Sequence, residues 1–282
     1  MAVRLIIDSA SDMLPSEAEQ LGAVYMPLTV SFGGEEYRDA VDLSHKEFYE
    51  KLVESDALPS TSQIPPAEFE AVYRRVTGEG DDVLVITLSG KLSGTYQSAV
   101  IAAESYKGRV FVVDSENVCI GERILVLRAA ELLKEGLSAG EAAAKLDEEK
   151  HHIRLLALLD TLEYLKKGGR ISATVAFAGG LLAIKPVVAV ENGEVVLIGK
   201  ARGSKNGNNL IRELVEKCGG VNFEKPYALA YSGLSDELLK KYISDSADLW
   251  KEHSDSLPIS SVGCAIGTHA GPGAIAVSFF EK

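Results

Sequence analysis

Along the first half of the chain, short apolar runs alternate with amphipathic stretches, and that rhythm predicts a β-α succession. Residues 3–7 read as a strand, followed by a turn through 8–12 and a short helix opening near Pro15. Residues 24–30 read as a second strand. Ser44 and Glu47 form a capping box for a helix reaching about residue 55. Residues 66–77 predict a helix with proline at its opening, 83–87 a strand, 96–106 a helix and 110–113 a strand. A helix over 124–134 precedes a second capping box, Ser138 with Glu141. This pattern predicts a doubly wound parallel sheet.

The second half has another rhythm. Residues 187–190 and 195–198 flank Asn192-Gly193, a strong signal for a tight hairpin. Strands at 227–231, 259–264 and 274–280 alternate with helices near 210–217 and 235–248, which predicts an α+β domain with a mainly antiparallel sheet. The expected class is therefore α/β with two domains, 1–150 and 151–282. Their boundary falls near His151, between the charged run 147–150 and an apolar strand at 155–159.

Composition agrees with two domains, since 282 residues exceed a typical single core. A formal net charge of -12 provides no basic field, which disfavours nucleic acid and anionic membrane surfaces as partners. Cys119, Cys218 and Cys264 are scattered and include no C-x-x-C pair, so neither a disulfide framework nor a zinc site is expected. The apolar run 5–7 is too short for a signal-peptide core, and 171–184 falls short of a membrane span. A cytoplasmic protein with no stable membrane insertion is expected.

Several catalytic motifs are absent. Gly90-Lys91 leads into Leu92 and Gly199-Lys200 into Ala201, so no Walker A loop exists. Residues 271–276 imitate a dinucleotide fingerprint but precede a strand rather than a helix. No G-x-S-x-G elbow occurs. His151 and His152 are adjacent and point apart, so no shared metal is expected.

Three stretches rich in hydroxyls and glycines remain, 59–63, 89–96 and 267–273, each expected as a loop. Ligands of open α/β sheets sit beyond the carboxyl ends of the strands, which singles out the loop around Ser93. Ser93 is also a candidate N-cap for the 96–106 helix, whose free N–H groups suit an anion. Capping alone and capping plus ligand binding both fit these residues, and 60–62 also fit a plain turn.

Six ordered blocks extend the picture. They read V-R-L-I-I-D-S-A-S-D at 3–12, T-S-Q-I-P-P at 61–66 and L-S-G-T-Y-Q-S-A at 92–99. V-V-D-S follows at 112–115, L-E-Y-L-K-K-G-G-R-I-S at 162–172 and I-G-T-H-A-G-P-G-A at 266–274. Over nearly its whole length the sequence resembles the DegV family, departing only where Ile64-Pro65 stands in place of proline directly after glutamine.

The resemblance implies a non-catalytic protein that binds one long-chain fatty acid in a tunnel between its domains, with no cofactor and no metal. It is similar to FakB, the acyl-carrier subunit of bacterial fatty acid kinase, whose catalytic subunit would supply ATP and magnesium. By that likeness Thr61, Ser62, Ser93 and Gly94 would hold the carboxylate, and Arg170, Thr268 and His269 would lie near the headgroup or the phosphoryl-transfer position. Residues 177–184 would line the tunnel or simply pack the core. Burying roughly fourteen methylenes contributes about 11 kcal/mol before ordering costs. Two other readings stand beside this one: an autonomous dihydroxyacetone-kinase-like phosphotransferase, and a lipid-sensing regulator.

Overall fold

The protein is described by a computed structural model covering residues 2–55, 57–171, 184–251, 253 and 256–282. In chain order the first strands are β1 (Val3–Asp8), β2 (Val24–Met26), β3 (Thr29–Phe32), β4 (Glu35–Arg38), β5 (Ser60–Ser62), β6 (Asp82–Thr87) and β7 (Val110–Asp114). They are followed by β8 (Ile153–Leu158), β9 (Ile184–Glu191), β10 (Glu194–Arg202), β11 (Tyr227–Tyr231), β12 (Ile259–Ser261) and β13 (Ile275–Phe280).

A parallel sheet runs in the order β2-β1-β6-β7. Its central strand shows the uninterrupted apolar run of a sheet covered on both faces: Val83, Leu84, Val85 and Ile86 are all fully buried. A six-stranded sheet, β10-β9-β8-β13-β11-β12, is antiparallel except for β11 beside β12. All strands of the first sheet precede residue 150 and all strands of the second follow it. The helix Ile120–Lys134 packs between the two sheets and buries nine of its fifteen residues, leaving a narrow polar stripe of Arg123, Arg128, Glu131 and Lys134.

Both capping boxes form. Ser44 and Ser138 each accept from the backbone N–H of the glutamate three residues on, and that glutamate accepts from the serine N–H. At the hairpin tip Asn192 and Gly193 take φ of 49° and 79°, as a type I′ turn requires.

The structure departs from the sequence pattern in several places. The expected strand 24–30 is two strands, because Pro27 has no N–H for a ladder; β3 leaves the parallel sheet and pairs with β4 and β5 in a small antiparallel sheet. Residues 60–62, expected as a loop or turn, form β5. The strand expected over 259–264 stops at Ser261, and most of the expected 267–273 loop belongs to the helix Cys264–Ala270. The helix expected over 235–248 divides into Glu237–Asp245 and Ala247–Trp250. Residues 177–183 of the expected tunnel wall lie outside the described residues.

Candidate functional site

A cavity of about 400 Å³ lies between the two large sheets, within the roughly 300–1,000 Å³ of small-molecule sites. Its wall is mostly aliphatic. Alternation along the strands explains why: Leu155 and Ala157 on β8, Val188 and Val190 on β9, and Ala276 on β13 turn to the cavity, while Leu156, Leu158 and Val277 turn to the opposite core.

Among the described residues, the polar lining side chains are Thr61, Ser62, Gln63, Ser93, Arg170 and His269, drawn from four separate stretches of chain. Gly94 lines the cavity beside them. Thr61 stands on β5 with its hydroxyl 3.0 Å from His269 Nε2. Ser93 Oγ lies 3.0 Å from Thr95 Oγ1 and accepts from the Thr95 N–H at 3.3 Å. The helix Thr95–Ala103 itself begins with Gly94 at the N-cap, so Ser93 stands one residue ahead of the cap position expected for it.

Arg170 follows the short helix Glu163–Lys167 and reaches across to the Ser93 loop. Its Nε donates to Leu92 O at 3.2 Å and its Nη1 to Gly168 O at 2.6 Å. This half-buried side chain is the one cation among the described lining residues.

His269 is held from three directions. The helix that carries it is capped from the other half of the chain. Asp39 accepts from the N–H groups of Cys264 and Ala265, and Asp12 from that of Gly263. Gly168 packs against the imidazole so closely that a Cβ there would overlap Nδ1. Burial, and then the positive charge of Arg170, push the imidazole down to about 4, so it is neutral at pH 7.

Thr268 is placed differently from its neighbour. It is buried, its hydroxyl donates to Cys264 O at 2.9 Å within the helix, and it is not among the lining residues. Gln63 and Gly168 carried no expectation from the sequence. Gln63 did stand inside the T-S-Q block, and Gly168 beside Arg170, but only the folded chain brings each against a partner distant in sequence.

Behind the cavity lies a group of buried carboxylates. Asp8 joins the ends of β1 and β6, its two oxygens accepting from Ala10 N and Leu88 N at 2.8 and 2.9 Å. Burial raises Asp8 and Asp12 to about 7 and holds Glu122 well above the usual carboxylate range. Among the described residues no cluster of three or more His, Cys, Asp or Glu side chains is placed to hold a metal, and no helix is long and apolar enough to cross a membrane.

Known proteins resemble this chain end to end. The DegV family profile, described as one of uncharacterised proteins, matches residues 2–282. A DegV domain-containing protein of Caldanaerobacter subterraneus is 37% identical over 282 residues, covering 99% of each chain. Among solved structures, a DegV family protein from Thermus thermophilus described for its fatty acid binding has 34% identity and a TM-score of 0.86, with both chains covered completely. DegV of Bacillus subtilis, described as a fatty acid binding protein, has 32% identity and a TM-score of 0.80 with the same coverage. With this fold, these ordered motifs and a match over residues 2–282, the chain belongs to the DegV family.

Proposed function

We propose that the cavity takes one long-chain fatty acid and that the protein presents its carboxylate to a separate kinase for acyl-phosphate formation. The observation that carries this reading is the division of the lining. Thr61, Ser62, Ser93, Arg170 and His269 supply polar groups, with Thr61 against His269 and Arg170 against the Ser93 loop, and most of the remaining lining is apolar. Structural relatives described as fatty acid binding proteins support it.

The headgroup chemistry follows from the geometry. His269 Nδ1 faces the Gly168 backbone with no hydrogen-bond partner among the described residues. A buried N–H without an acceptor is costly, so the imidazole proton belongs on Nε2. Nε2 then donates to Thr61 Oγ1, and the Thr61 proton is left for a ligand oxygen. Ser93 supplies a second hydroxyl. In the transfer step a carboxylate oxygen attacks the γ-phosphorus of ATP held by the kinase, the bridging P–O bond breaks and ADP leaves. Arg170 would neutralise charge on the phosphoryl oxygens.

Organic extraction of the purified protein followed by mass spectrometry should give about one acyl chain per molecule. A protein that carries none and also ignores added palmitate and oleate would overturn the reading. Given the kinase, ATP and magnesium, Arg170→Ala and His269→Ala should keep most fatty-acid affinity yet form no acyl phosphate. Turnover by the wild-type chain without a kinase would instead make it an enzyme.

A further inference from the structure

Among the described polar lining side chains, Gln63 takes no part in the headgroup chemistry above, and its packing is unusual. Its amide fills the space where a side chain on Gly94 would begin. A Cβ at 94 would overlap Oε1 and lie 2.8 Å from Cδ. Gly94 has φ of -73°, which suits any residue, so backbone conformation does not demand glycine there. What a side chain there would meet is the end of the Gln63 side chain, which would have to move aside.

The other end of the amide is tied down. Nε2 donates at 3.0 Å to Ser98 Oγ, a buried hydroxyl one turn into the helix Thr95–Ala103. The next residue repeats the attachment, with Ile64 N donating to Thr95 Oγ1 at 3.4 Å. Two residues earlier, Thr61 meets His269. One short stretch therefore touches both halves of the polar end, and Gln63 is its rigid contact with the Ser93–Gly94 turn. Gln63 remains exposed, and the rotamer freedom it loses in this position is offset by its contacts with Gly94 and Ser98.

We propose that Gln63 is a positioning residue: by lying across Gly94 it sets the distance between the Thr61–His269 pair and the Ser93–Gly94 turn, and so the spacing at which a carboxylate is gripped. This rests on the fatty-acid reading of the cavity. The amide also suits the place electrically, because it stays uncharged beside an anionic headgroup, whereas a glutamate would repel it.

The test is a titration of a fluorescent long-chain fatty acid into wild type, Gln63→Ala, Gly94→Ala and the double variant, with folding followed by circular dichroism. Each single change should weaken binding, Gly94→Ala by more than about tenfold because its methyl expels the amide. In the double variant the methyl has room, so affinity should return to that of Gln63→Ala rather than fall further. Gln63→Glu should bind progressively worse than wild type as pH rises from about 4 to 6, through the ordinary range of a glutamate. Additive losses in the double variant, or a Gln63→Glu profile parallel to wild type, would overturn the role of Gln63 while leaving the fatty-acid site intact. A wild-type protein that binds no fatty acid would overturn the functional reading and this inference with it.

Discussion

The two large sheets build the cavity in opposite ways. The six-stranded sheet offers the middle of its strands, where alternate residues such as Leu155, Ala157 and Val188 turn inward and make a dry wall. The N-terminal half offers the short strand β5, paired with β3, and the Ser93 loop, which place hydroxyls and backbone groups. Mid-strand positions are fixed by register on both sides, so they set shape. A short strand paired on one side and a loop are less constrained, so they can carry chemistry. Arg170 and His269 belong to the C-terminal half in sequence, yet both are anchored to the N-terminal half, at Leu92 and Thr61.

The largest expected effect comes from breaking the wall. Ala157 and Ala276 are register partners facing the cavity, and a phenylalanine ring in place of the Ala157 methyl would occupy the acyl path. If Ala157→Phe excludes about five methylenes at 0.8 kcal/mol each, long-chain affinity should fall roughly a thousandfold, while octanoate should lose far less. Equal losses for both acids in a fluorescence-displacement titration would show that the chain does not run along β8.

Next in size is a contrast in pH dependence. His269 has a folded value near 4 against 6.5 for the free group, so its native state binds fewer protons than the unfolded one between those values. Its contribution is present above pH 6.5 and is lost as pH falls through 4, on the order of 3 kcal/mol. Asp8 slopes the other way: raised from 3.8 to about 7, it contributes below pH 4 and loses that as pH rises through 7. Urea unfolding of wild type, His269→Gln and Asp8→Asn across pH 4–8 should show these opposite slopes relative to wild type. Parallel curves would mean the two groups titrate alike in folded and unfolded protein.

At the polar end, Thr61→Ala and Ser93→Ala each remove one hydroxyl donor to a charged group, about 1.5–3 kcal/mol. Fatty-acid affinity should drop roughly ten- to hundredfold with the circular dichroism spectrum unchanged. Wild-type affinity in both variants would move the carboxylate elsewhere. The smallest effect belongs to Thr268. Its hydroxyl is satisfied by Cys264 O, so Thr268→Ala should change affinity by less than about threefold, or roughly 0.7 kcal/mol. A tenfold loss would bring Thr268 into the headgroup site after all.

Much was legible from local pattern. The capping boxes at Ser44 and Ser138, the Asn192-Gly193 hairpin and the change from β-α to antiparallel order all depend on neighbours in sequence, and all form. Two of the misplacements originate in distant partners. Ser60, Thr61 and Ser62 have no apolar alternation to announce a strand, and β5 exists because β3 offers it a ladder. The helix Cys264–Ala270 has Gly263 before it and Gly267 within it, both poor helix formers, and is secured by Asp39 more than two hundred residues earlier.

For the candidate site, the chain alone determined which chemistry was available: hydroxyls at 61, 62 and 93, an arginine at 170, a histidine at 269 and no nucleotide loop. Tertiary structure decided which of these meet. It set Thr61 against His269 and Arg170 against the Ser93 loop, turned Thr268 back into its own helix and laid Gln63 across Gly94. Sequence separation of up to 208 residues lies between such partners, and no local propensity reaches across it. The packing of the two sheets around one apolar space brings them within hydrogen-bonding distance.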